Sequence, residues 1–165
     1  MRSLPDPGFA ADTGTAPPAL AAVLAESAVD GARSPVLAVL AAAQPPTRLL
    51  VPVLAATGDD AAGGHEGDVS TVLMRGVDGR LALLAFTSTT AMAAWRPAAR
   101  PVPATVRSVA EAALAEGASA VVVDVAGPVV FVVETAELIE LAAGHRLLPA
   151  GTGYGWFASW PGAVP

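Results

Sequence analysis

The chain contains no cysteine and no lysine; its nine basic residues are all arginine. The first absence excludes thiol nucleophiles, CxxC redox pairs, iron–sulfur clusters and cysteine zinc sites. The second excludes a Schiff base to pyridoxal phosphate or to a carbonyl substrate, and the lysine of a phosphate-gripping loop. Long apolar runs are also missing. Mean hydropathy is +0.55, yet no uninterrupted stretch approaches the roughly 18 residues of a membrane span, so no membrane partner is expected. The amino-terminal residues lack the apolar core of a signal peptide, and the expected location is cytoplasmic.

What the chain does have is alanine, valine, proline and glycine, in 165 residues that suit one domain. Lysine-free, alanine-rich usage is the coding bias of a GC-rich genome, so much of the alanine carries no functional message. The net charge of −6 argues against a nucleic-acid partner, which would demand a basic face. The charge is unevenly spread, however. Arg75, Arg80, Arg96, Arg100 and Arg107 face only Asp78 within residues 69–107, whereas the flanking thirds are acidic.

Residues 1–18, with four prolines and little periodicity, read as a flexible arm, extended or disordered. Helices are expected over 19–28, stopped near Gly31, and from Pro35 to about residue 43 behind a Ser34 cap. An apolar strand over 47–55 contains Pro52, which suggests an edge or a bulge. Strands over 69–75 and 80–87 flank Asp78-Gly79, a strong hairpin signal. Ser88 caps a short helix carrying Met92 and Trp95. Ser108 and Glu111 match a capping box for the next helix, ended at Gly117. A second hairpin joins 120–125 to 129–134, and Thr135 caps a final helix. The expected fold is α+β: a mainly antiparallel sheet built from hairpins, with helices packed on it, in a single domain over 19–148. Residues 149–165 are set apart as a glycine and aromatic carboxy-terminal segment.

Few constellations carry chemistry. Asp59, Asp60, His65, Glu66 and Asp68 fit neither an EF-hand nor HExxH, so they read as a solvated acidic loop and no metal or other cofactor is expected. His145 sits after a helix stop, where an imidazolium suits the negative helix end. Without a GxSxG elbow no catalytic residue is assigned. Gly151, Gly153 and Gly155 follow a helix and a proline where a dinucleotide loop would follow a strand, and read as a flexible linker. Tyr154, Trp156, Phe157 and Trp160 concentrate half of the aromatics in seven positions. They are suited to dock on a protein partner or a second copy, or to fold back over this domain's own sheet.

At Phe86-Thr87-Ser88, Trp95-Arg96-Pro97 and Arg100-Pro101-Val102-Pro103 the sequence resembles the actinobacterial branch of the SseB N-terminal-domain family. Asp6-Pro7-Gly8-Phe9-Ala10, Leu49-Leu50-Val51-Pro52-Val53, Asp78-Gly79-Arg80, Glu116-Gly117-Ala118 through Val123-Asp124, and Ala126-Gly127-Pro128 extend the likeness, which covers most of residues 6–143. It implies a small α+β module and transfers no functional residue. The expectation is a non-catalytic interaction or regulatory module, binding through Phe86, Thr87, Ser88 and Trp95, with Arg96 and Arg100 beside them. The alternative is a binding protein or enzyme for a small anionic metabolite. That reading requires the five arginines of the middle third to converge on one concave site.

Overall fold

The computed structural model describes residues 9–54 and 71–158. Helices α1 (Pro18–Asp30) and α2 (Ser34–Leu40) precede strands β1 (Arg48–Val53), β2 (Leu73–Arg75) and β3 (Leu81–Ala85). Then come α3 (Thr89–Trp95), β4 (Arg100–Thr105), α4 (Val106–Ala115), β5 (Ala120–Val123) and β6 (Phe131–Glu134). Helix α5 (Thr135–Ala142) and strands β7 (Arg146–Ala150) and β8 (Gly153–Phe157) complete the order. The fold is α+β, as expected.

A four-stranded sheet, β2-β3-β5-β6, forms the centre, with two-stranded sheets β1-β4 and β7-β8 beside it. Both anticipated hairpins are present and antiparallel, and the pair that joins them, β3 with β5, is parallel. Leu50 and Phe86 exchange both backbone hydrogen bonds at 2.8 Å, stitching β1 to the chain just past β3.

Alternation along the strands divides the apolar side chains between two faces. Leu83, Ala85, Val121, Val123, Phe131 and Val133 join the main core with residues of α1, α2, α4 and α5. Ala110 and Ala113 of α4 are buried there, and side chains this small let the helix axis lie close to the sheet. On the opposite face Leu84, Phe86 and Val122 meet Leu50 and Met92 in a smaller cluster.

Strand β4 was not anticipated, because Pro101 and Pro103 argue against a strand. The register removes the objection. Leu50 directs its N–H and C=O toward Phe86, so Leu49, Val51 and Val53 are the β1 residues that face β4. Pro103 opposes Leu50 and Pro101 opposes Pro52, so each missing N–H lies on the side away from the partner strand.

Three helix caps also differ from expectation. Thr105, not Ser108, caps α4 by accepting from the Ser108 N–H at 3.1 Å, while Glu111 pairs with Arg107. The reciprocal capping box is found at α5, between Glu134 and Glu137, and the Thr135 hydroxyl donates instead to the Ser119 carbonyl. Arg33 rather than Ser34 precedes α2. Ser88 caps α3 as expected, accepting from the Ala91 N–H.

The glycine-rich stretch 151–155 is the turn of a hairpin and the start of its second strand, β8, not a flexible linker. Gly155 leaves open space that the Phe157 ring occupies, its edge 3.3 Å from where a Cβ would stand. An aromatic ring laid over a strand glycine restores the packing surface that glycine lacks.

Candidate functional site

The six residues singled out in the sequence divide between interior and surface. Phe86 is fully buried, its ring centroid 5.5 Å from that of Trp95. Thr87 is buried as well, and Ser88 is committed to capping α3. Trp95 is half-buried, with the Arg96 guanidinium 5.1 Å over its ring. Arg96 and Arg100 are exposed. The strand-to-helix junction thus presents the Trp95–Arg96 ledge, with Phe86 and Thr87 beneath it.

Thr87 belongs to a buried polar chain that sequence reasoning did not find. Its N–H and hydroxyl both donate to Asp124, at 2.8 and 2.7 Å, and its carbonyl accepts from Arg48 Nη1 at 2.8 Å. Asp124 occupies the turn after β5 with φ of 54°, a left-handed conformation tolerated by Asp and Asn better than by most residues. Burial holds its carboxyl above the ordinary value, against the pull of the two Thr87 hydrogen bonds.

Arg48, the first residue of β1, is 6% exposed. A buried guanidinium must have its fork of donors satisfied, and the amino-terminal segment does this. Asp12 receives Nε at 2.8 Å and Nη2 at 2.9 Å, while the Thr15 carbonyl receives Nη2 at 2.6 Å. Asp12 also accepts from the Gly14 N–H. The Gly14 carbonyl in turn accepts from the Thr89 N–H at 2.9 Å. Residues 12–16 therefore lie as a strap across the ends of β1 and α3.

Two hollows share Arg48 in their walls. One, of about 500 Å³, is walled by Phe9, Asp12, Thr13, Thr15, Pro17 and Arg48. The other, of about 620 Å³, is an apolar trough between the α2–β1 connection and the carboxy-terminal hairpin; Pro17, Pro35, Leu148, Pro149 and Tyr154 line it, and Arg48 is its charged residue. A third cavity of about 370 Å³ lies between α4 and the end of α5, with Arg107 and His145 in its wall. His145 Nδ1 lies 2.5 Å from Glu140. Its N–H donates to the Glu140 carbonyl, so the imidazole does stand at the end of α5.

The five arginines of the middle third are dispersed. Arg75 donates to Gly79 within the first hairpin, Arg80 pairs with Glu134, Arg107 pairs with Glu111, and Arg96 lies on Trp95. Arg100 opens β4. Of these five, only Arg107 lines any of the three cavities. Among the described residues no group of three metal-ligating side chains occurs, and no helix is long and apolar enough to cross a membrane. The acidic run 59–68 and Trp160 lie outside the described residues. In the aromatic segment Trp156 packs back on the main core, while Tyr154 is 42% and Phe157 47% exposed.

No curated protein and no solved structure matches the chain. The model of the SseB protein N-terminal domain matches residues 19–140, which leaves the strap and the carboxy-terminal hairpin outside it. With most of its length covered by that match, the chain belongs to the SseB N-terminal-domain family.

Proposed function

We propose that this domain is a non-catalytic interaction or regulatory module of the cytoplasm, from the actinobacterial branch of its family, with a protein as its partner. The trough beside Arg48 carries the reading. Its wall is mainly apolar and includes prolines from three segments, Pro17, Pro35 and Pro149. Tyr154 at its rim keeps 42% of its surface exposed. Prolines and a tyrosine have few rotamers to lose, so ordering them against a partner costs little entropy. The net charge of −6 and the dispersal of the arginines favour a protein partner over nucleic acid or a small anion. The Trp95–Arg96 ledge, with Arg100 nearby in sequence, is a second surface consistent with this reading.

The test is a photo-crosslinking amino acid at Tyr154 in the full chain expressed in its native cells, with the more exposed Val77 on the first hairpin as the control. A discrete crosslinked partner from Tyr154 that Val77 does not give supports the module. No adduct, or the same adducts from both positions, overturns it.

A further inference from the structure

Most of what neutralises Arg48 comes from outside the body of the domain. Asp12 and Thr15 of the strap supply three of its hydrogen bonds, whereas Thr87 supplies one. The strap also precedes residue 19, where the family match begins, and Arg48 lies within that match. A guanidinium buried in a domain wall creates a demand for a carboxylate, because leaving it unpaired is strongly unfavourable.

The strap itself is lightly held. None of its side chains enters either hydrophobic core. Beyond Arg48, its hydrogen bonds to the body among the described residues are the two from Thr89 to the Gly14 carbonyl, at 2.9 and 3.3 Å. It walls the hollow of about 500 Å³, and the trough of about 620 Å³ begins at Pro17, just past its end. Thr13, Thr15 and Ala16, small residues all, line the nearer hollow, and larger apolar side chains laid in their place would reach further into it.

We propose that residues 12–16 are a built-in stand-in for a ligand, and that the ligand is an extended peptide segment of a partner protein. That segment carries an Asp or Glu side chain for Arg48, followed by apolar side chains for the trough along Leu148, Pro149 and Tyr154. The inference rests on the interaction-module reading and names its ligand class. The strap then acts as an intramolecular competitor, which sets a threshold that the partner must exceed, since a tethered segment competes at an effective concentration of about millimolar.

The experiment uses the full chain, wild type and Asp12→Asn, titrated to millimolar concentration with a synthetic peptide of residues 9–17. Binding is followed by NMR at the Arg48 Nε–H. The peptide is expected to shift this resonance in the Asp12→Asn chain at a concentration at least tenfold lower than in wild type. A peptide carrying Asp12→Asn is expected to shift it in neither. Gly14→Val provides a second way to lift the strap, since a Cβ there would meet the Thr89 methyl at 2.5 Å on a backbone with φ of +75°. Equal response of wild type and both variants, or no response in either variant, overturns the proposal. The Tyr154 crosslink reads the module independently, so a partner captured there by a chain whose Arg48 never responds would overturn the strap mechanism alone.

Discussion

Asp124 accepts the N–H and the hydroxyl of Thr87 at once, at 2.8 and 2.7 Å, across the parallel junction of β3 and β5. The same threonine passes its carbonyl to Arg48. Thr87 and Arg48 in series thus link the turn after β5 to the strap near the amino terminus.

Because burial raises the Asp124 pKa, the folded state binds this proton more tightly than the unfolded chain does. Its contribution to stability is fully present below the unfolded pKa and is lost as pH rises through the folded value. Asp124→Asn keeps the size and suits φ of 54°. It is expected to flatten the pH dependence of stability above the ordinary carboxylate range, with the variant's stability relative to wild type falling as pH falls. Asp124→Ala orphans both Thr87 donors and is expected to lose about 2 kcal/mol or more at neutral pH. Urea denaturation at a series of pH values measures both; identical slopes for wild type and Asp124→Asn would rule out titration of this group.

Phe86→Ala empties the centre of the smaller core, where the ring is fully buried. A loss of about 3–5 kcal/mol is expected. Trp95→Ala removes the half-buried lid over the same ring and is expected to cost less. Chemical denaturation of the two variants decides the order.

Arg33 guards the free edge of β6. It donates to the Val132 carbonyl at 2.8 Å, pairs with Glu137 at 2.8 Å and lies 4.7 Å over the Phe131 ring. Its side chain is 44% exposed, so solvent screens the ion pair and Arg33→Ala is expected to cost only about 1 kcal/mol. The larger effect is expected in association, since an uncovered edge offers unpaired backbone groups to another chain. Sedimentation over a concentration series checks this; a variant as monomeric as wild type at every concentration would contradict it.

Thr105→Ala removes the acceptor for the Ser108 N–H and is expected to destabilise by about 1 kcal/mol. Ser108→Ala leaves that bond intact and is expected to cost less. Thermal melts of the two variants identify the cap, and the reverse order would return it to Ser108.

All five helices and both central hairpins were legible because their signals are local. Asp78-Gly79 makes its turn through contacts only a few residues apart, with Gly79 at φ of +79°. The misses have physical causes too. Ser108 and Thr105 both carry a hydroxyl near the same first turn, and only geometry separates them. Pro101 and Pro103 conceal β4 because the side each missing N–H faces depends on pairing with a distant strand. The alternating glycines from 151 to 155 read as a linker until the Phe157 ring is seen to cover Gly155. At the candidate site the partners are remote: Arg48 is 36 residues from Asp12, and Thr87 is 37 residues from Asp124. No local pattern could have joined them. The tyrosine at position 154 was the one trough residue the sequence singled out.

The parallel pairing of β3 with β5 has a kinetic consequence. Each central hairpin closes a short loop, whereas joining them requires the chain to span residues 86–119, which hold α3, β4 and α4. Strand β4 within that span must also find β1, which lies upstream of both hairpins. Loop-closure entropy is therefore lost before the non-local contacts form. The two hairpins are expected to be largely formed in the folding transition state, with their docking as the slow step and β1–β4 closing over it. Once closed, β1 and β4 clasp the crossover, so the central sheet opens only when the outer pair has parted.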